Sequence, residues 1–329
     1  MVVGPDTPAP TVGREDVHAA AARTAGQLRV TPVVSGQVGD GPALLKLEQL
    51  QYTGSFKARG ILNQVLLARE AVVAAGGTDA DMHVVIASGG NAGSAAAWAC
   101  AQVGLACTVF MPTSSPEIKA ERIKSYGADI CRVGERYDDA AVAAAAFCDE
   151  RSATWLHPYD QPGVVAGQGL VFRELEEQLG GEFDTVLVAV GGGGLIGGAL
   201  AWLGNRARVV SVEPLGSACL YSARRFGKPV DVDVDSIAAD SLGARRVGEL
   251  AWKLADLLAD SVVVADAAIG AAQSWLWNKW RLVVEPGGAA ATAALLSGAY
   301  RPTPGERVVA LVCGANADVR TIAGLVPSA

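Results

Sequence analysis

The stretch from Thr185 to Gly198 reads TVLVAVGGGGLIGG, six apolar or β-branched residues followed by four glycines and a second glycine pair. A continuous run of this kind has no polar face, so it predicts a strand covered on both sides. Glycines directly after it predict a tight turn opening a helix, where free backbone N–H groups and missing Cβ atoms suit a phosphate. A flexible linker of the same composition would not sit between a strand and a helix. The spacing Gly192-x-Gly194-x-x-Gly197, with Glu213 ending the next apolar run, also satisfies the dinucleotide pattern. On this stretch alone a NAD-type module stays open.

Working outward, the same unit recurs. Apolar runs at His83–Ala87, Cys107–Met111, Asp129–Val133, Val209–Val212, Ser261–Val264 and Val308–Val312 alternate with helical patterns at Glu117–Tyr126, Asp138–Glu150, Gly163–Leu179 and Gly248–Ala259. Such alternation predicts an α/β fold with parallel, doubly wound sheets. Residues 83–154 read as one compact group, and the later runs, with Ala43–Glu48, as a second sheet. The expectation is two open doubly wound domains with a cofactor cleft between them: a large one from 1–79 and 156–329, and a small one from 80–155. Ligands in such folds bind beyond the carboxyl ends of the strands.

Composition narrows the function. The 329 residues are 50% hydrophobic with a net charge of −7, and no run of five basic residues occurs, which argues against nucleic acid or a polybasic membrane patch. The six cysteines form no CxxC pair and read as reduced thiols. The three histidines offer no metal-ligand spacing. The first residues, MVVGPDTPAPTVGRED, lack the basic and apolar regions of a signal peptide. Ala95–Met111 splits into a buried helix and a strand rather than a span. A cytoplasmic protein is expected.

Three more loops follow predicted strands. Thr53-Gly54-Ser55-Phe56-Lys57-Ala58-Arg59-Gly60 carries a lysine that, considered alone, reads as a solvated cation. Phe56 and the apolar Ile61–Leu67 segment give it surroundings that would make its amine a better nucleophile. Ser88-Gly89-Gly90-Asn91-Ala92-Gly93 is either an anion site at a helix start or a glycine turn capped by Asn91. Cys313, at the end of VVALV, is either a core residue or a ligand contact.

Taken together, the loops resemble the serine/threonine dehydratase family of fold-type II pyridoxal phosphate (PLP) enzymes, whose core is tryptophan synthase β-like. KLEQLQYTGSFKARG, ASGGNAG, HPYDQPGVVAGQG, VAVGGGGLIGG, SVEP, VEPGGAAA and VCGAN occur in family order between Lys46 and Asn316. The resemblance implies that Lys57 is the Schiff-base lysine and general base, with Phe56 beside the cofactor. It implies that Gly191, Gly192, Gly193, Gly194 and Leu195 cradle the phosphate, and that Asn91 bonds the phenolic oxygen of PLP. Glu285 falls in the cofactor-contacting VEPGG segment, and Cys313 faces the pyridine nitrogen. Ser88, Gly89, Asn91 and Ala92 form the loop that receives the substrate. The implied reaction is β-elimination of L-threonine or L-serine to a 2-oxo acid and ammonia, in a homodimer.

Departures from the family pattern qualify this. Racemases of the family carry a serine where this chain has Gly89, so dehydration is favoured over serine racemisation. A threo-3-hydroxyaspartate dehydratase remains the other alternative. Glu213 is a candidate cation ligand, but Ser217 and Cys219 occupy the other positions and the expected carboxylate is missing. The family's Asp-Gly pair appears as Asp240-Ser241. The chain ends soon after VCGANAD, so no C-terminal regulatory domain is expected.

Overall fold

The computed structural model describes residues 11–39 and 41–317. The first ten residues of the stretch read for a signal peptide, and Asp318 of VCGANAD with everything after it, lie outside the described residues.

Helix α1 (Arg14–Arg23) leads into strands β1 (Val33–Val38) and β2 (Gly41–Leu47), then α2 (Lys57–Ala74). A compact run follows: β3 (His83–Ala87), α3 (Asn91–Val103), β4 (Ala106–Met111), α4 (Glu117–Lys124), β5 (Asp129–Arg132), α5 (Tyr137–Arg151) and β6 (Thr154–Leu156). The chain continues through α6 (Pro162–Leu179), β7 (Thr185–Ala189), α7 (Gly194–Leu203), β8 (Arg208–Pro214), α8 (Cys219–Phe226), α9 (Ala239–Leu242) and α10 (Glu249–Lys253). It closes with β9 (Asp260–Val264), α11 (Asp266–Trp280), α12 (Pro286–Leu296) and β10 (Val308–Val312).

Two sheets result, one of six strands in the order β1-β2-β10-β7-β8-β9 and one of four in the order β5-β4-β3-β6. All pairings are parallel except β1 with β2. That edge hairpin qualifies the expectation of purely parallel sheets. Its short connection cannot reverse into a parallel strand, and Ser35, Gly36 and Gln37 deny β1 the apolar run that marks the buried strands. β7 and β10 are buried along their whole length. β6, only three residues long, ends at Leu156 and pairs with β3. The helix expected over Gly248–Ala259 is instead the short α10 followed by a separate 3₁₀ turn at Ala255–Leu257.

Helix α2 joins the two halves. Ala58, Ile61, Leu62 and Val65 pack in one core cluster with Val84 and Ile86 of the small sheet, whereas Phe56 packs against the core of the large sheet. Behind α2 lies a buried ionic network. Arg59 donates to both Glu48 oxygens at 2.7 and 2.8 Å and pairs with Glu174 at 2.9 Å. Lys46 Nζ donates to Glu174 at 2.5 Å, Thr31 O at 2.8 Å and Gln178 Oε1 at 2.8 Å. Removing one member strands its partners without water, so Arg59→Leu should lower stability by about 3–5 kcal/mol, read as a reduced urea midpoint at unchanged slope.

Candidate active site

The chemistry-bearing loops all leave carboxyl ends of parallel strands. β2 feeds the Lys57 segment, β7 the glycine loop, β10 the Cys313–Asn316 turn and β3 the Ser88–Asn91 loop. In the large sheet β10 lies between β2 and β7, and the loops after these three strands form one wall of a cleft. The small sheet brings the Ser88 loop to the other wall.

Lys57 is the first residue of α2. The segment before it is stitched to the end of β10: Phe56 N–H donates to Cys313 O at 3.1 Å, Ala315 N–H donates to Gly54 O at 2.9 Å, and Ser55 bridges Gly314. The Lys57 amino group donates to Pro158 O at 2.8 Å and lies 5.2 Å from the Phe56 ring centre. Burial pushes its pKa down to about 8, against smaller opposing pulls from Cys313 and Glu285. Such an amine is a usable nucleophile and base near neutral pH.

Pro158 ties Lys57 to the glycine loop through its neighbour. A Cβ on Gly192 would collide with the Tyr159 ring, and one on Gly194 would come within 2.9 Å of Tyr159 O. Gly193 has φ +99°, which side-chain-bearing residues rarely adopt. Helix α7 opens at Gly194, so the N–H groups of Gly194, Leu195 and Ile196 have no carbonyl behind them within the helix. A buried helix start of this kind fits a phosphate anion. The Leu195 side chain belongs to the large core, so only its backbone can serve such a ligand. The loop is fixed from behind by Gly248 N–H on Gly192 O at 2.9 Å and the Cys219 thiol on Gly191 O at 3.2 Å.

The HPYD segment carries no individual roles in the sequence reading, yet it forms the bridge. His157 Nδ1 accepts from Tyr159 N–H at 3.3 Å and Asp160 N–H at 2.8 Å, and burial lowers its pKa. Asp160 caps α10 by accepting from Glu249 and Leu250 N–H, each at 3.0 Å. Ser241 Oγ accepts Gly287 N–H at 3.2 Å, and the Cys313 thiol lies 3.5 Å from Gly287 O. Burial raises the Cys313 pKa, keeping a neutral thiol.

On the facing wall, Asn91 begins α3 and Ala92 is buried behind it. Ser88 Oγ accepts Gly90 N–H at 3.3 Å, shaping the turn. Asn91 Nδ2 donates to Glu285 Oε1 at 2.6 Å. The Lys119–Asp240 ion pair spans from α4 to α9. Glu285 is buried, which pushes its pKa up to about 7, partly offset by Asn91. In the cofactor-free protein the folded state therefore binds a proton that the unfolded chain, with its ordinary value of 4.5, has released. The cost of charging Glu285 is absent below about 4.5 and fully present above about 7. The thermal midpoint of Glu285→Gln should rise relative to wild type across that window and level off above it.

Glu213 sits elsewhere. Its two oxygens accept N–H from Leu220 at 2.8 Å and Tyr221 at 2.7 Å, and burial pushes its pKa up to about 8. Ser217 Oγ donates to Leu242 O. Among the described residues no group of three or more His, Cys, Asp or Glu is arranged to hold a metal. With both oxygens turned onto the start of α8 and its side chain fully buried, Glu213 is closed off from a nucleotide ribose, which removes the support for a dinucleotide module. No helix among the described residues is long and apolar enough to cross a membrane.

Comparison with known proteins identifies the family. The family model for pyridoxal-phosphate dependent enzymes matches residues 25–314. The biosynthetic L-threonine dehydratase IlvA of Mycobacterium leprae is 36% identical over 326 residues, covering 94% of this chain and 74% of that protein. Maize serine racemase superposes with a TM-score of 0.87 at 29% identity, covering 96% of this chain and 97% of that one. The T.th. threonine deaminase does so with a TM-score of 0.84 at 30% identity, covering 93% and 99%. On the extent of these matches, the chain belongs to the fold-type II pyridoxal-phosphate-dependent enzymes, in the serine/threonine dehydratase family.

Proposed function

We propose that this enzyme eliminates water from L-threonine, L-serine or both, and that the unsaturated amine so formed takes water back as it loses ammonia, leaving a 2-oxo acid. The observation that carries the reading is Lys57: an amine 2.8 Å from Pro158 O, whose neighbour Tyr159 closes over the glycine loop, with Cys313 and Glu285 near enough to act on its charge. The similarity to a threonine dehydratase and a threonine deaminase supports threonine as substrate.

In this reading Gly191–Gly194 and the Leu195 N–H hold the phosphate of pyridoxal phosphate, and Phe56, Asn91, Glu285 and Cys313 surround its ring. Bound there, the cofactor draws electrons from the substrate's α-carbon and so acidifies its proton. Ser88, Gly89, Asn91 and Ala92 orient the substrate carboxylate with backbone and side-chain donors at the start of α3. Lys57 takes the α-proton as general base, and the β-hydroxyl departs as water. Cys313, its thiol directed toward Gly287 O, has no proton to spare for the ring nitrogen. Residues 1–79 and 156–329 form the cofactor-binding part and 80–155 the substrate-loop part of a cytoplasmic homodimer. Borohydride reduction of the yellow protein should leave the cofactor's mass on the peptide containing Lys57. A 2-oxo acid assay across L-threonine, L-serine and threo-3-hydroxyaspartate identifies the substrate; no product from any of them overturns the proposal.

The likeness to maize serine racemase gives a second reading, racemisation. Gly89 speaks against it, because it offers no side-chain acid to the opposite face of the substrate. A Cβ there would lie 3.0 Å from Met111 Cε, the far end of a flexible side chain, so a serine can be admitted. Wild type should form no D-serine from L-serine, whereas Gly89→Ser should form it at a rate visible by chiral chromatography.

A further inference from the structure

A polar relay crosses the site from the Lys57 segment to the substrate loop. Thr53 O accepts from Asn316 Nδ2 at 2.8 Å, the same nitrogen donates to Asn91 Oδ1 at 2.6 Å, and Asn91 Nδ2 donates to Glu285 Oε1 at 2.6 Å. An amide side chain can be turned end for end with almost no change of shape, so a relay of amides needs an anchor to give it direction. Glu285 is a poor anchor, since a carboxylate accepts whereas its protonated form can donate. The Thr53 carbonyl can only accept. The Asn316 atom facing it is therefore nitrogen, and the Asn91 atom facing that nitrogen is oxygen. With one N–H given to Glu285, Asn91 has a single donor left to offer the cleft.

We propose that Asn316 is a positioning residue: anchored on the Thr53 carbonyl, it turns the Asn91 amide so that an N–H, not the carbonyl, meets the phenolic oxygen of bound pyridoxal phosphate. This rests on the reading above that Asn91 faces that oxygen. Thr53 supplies independent support. It has φ 62° and ψ 8°, a left-handed conformation unusual for a β-branched residue. Its buried hydroxyl has no hydrogen-bond partner, so the conformation is not kept for the side chain. What the conformation delivers is the carbonyl that fixes Asn316. Gly54 completes the seat, since a Cβ there would come within 2.8 Å of Asn316 Oδ1.

The test compares the holoenzyme of wild type, Asn316→Ala, Asn91→Ala and the double variant. Two quantities are read: the visible absorption of the bound cofactor, which responds to hydrogen bonding at its phenolic oxygen, and the cofactor dissociation constant. Asn316→Ala should move the spectrum in the same direction as Asn91→Ala and raise the dissociation constant about five- to tenfold. Its effect should vanish in the Asn91→Ala background. Asn316→Ser serves the same comparison if the alanine variant does not fold. A shift that persists without Asn91, or a lowered thermal midpoint with an unmoved spectrum, overturns the assignment while leaving the role of Asn91 intact. A spectrum unmoved by Asn91→Ala overturns that role, and this inference with it.

Discussion

Replacing Lys57 by alanine should lower 2-oxo acid release by about 10⁴-fold or more, because one side chain both holds the cofactor and moves the α-proton. Lys57→Arg should be equally inactive. Guanidinium stays protonated at every working pH, whereas burial brings the lysine amine down to about 8. A role limited to placing positive charge beside Pro158 O would leave the arginine variant substantially active, and that result would refute the assignment. Steady-state assays at saturating cofactor, combined with mass analysis after borohydride, separate lost chemistry from lost attachment. The folded protein should tolerate the alanine. The Lys57 amine is tied to the fold through Pro158 O, and the helix behind it is secured separately by Arg59 and its carboxylate partners.

The second large effect belongs to Gly192. Its position is closed by the Tyr159 ring, and the added methyl of Gly192→Ala has no free direction there. Either the ring or the loop must move, at a cost on the scale of about 1–3 kcal/mol. Cofactor affinity should fall on the order of 100-fold, measured by equilibrium dialysis. Adding Tyr159→Ala to the same chain clears the obstacle. If affinity partly returns, the ring was the cause; if the single variant binds as tightly as wild type, the loop does not hold the phosphate.

Much of this arrangement is legible in the residues themselves, for identifiable reasons. The strands buried on both faces announce themselves as unbroken apolar runs, and His83–Ala87 and Val308–Val312 match their predicted limits. β1 gives no such signal because Ser35, Gly36 and Gln37 interrupt it, and β6 because three residues are too few to show a period. Lys57, Asn91 and Cys313 are conspicuous as polar groups at strand ends. The partner of Lys57 is not: a backbone carbonyl such as that of Pro158 has no signature in residue types. Tyr159 and Asp160 are visible only as letters in a motif, since their work is to close the space around glycines and to cap a helix distant in sequence. Asn316 is similarly hidden, because its part depends on the conformation of Thr53. Leu195 shows the converse, with a side chain that belongs to the core and a backbone N–H left without a partner in its own helix.

Helix α2 has a mechanical consequence. The residues just before it are bonded to the end of β10, and Ala58, Ile61, Leu62 and Val65 are embedded in the core of the small sheet. If the two sheets rock against each other, the chain must flex where one allegiance gives way to the other, and Lys57 stands at that fulcrum. A lever moves least at its pivot. The Ser88 loop, which meets the large sheet through the bonds of Asn91 to Glu285 and Asn316, can therefore make and break those contacts while the amine keeps its place beside Pro158 O.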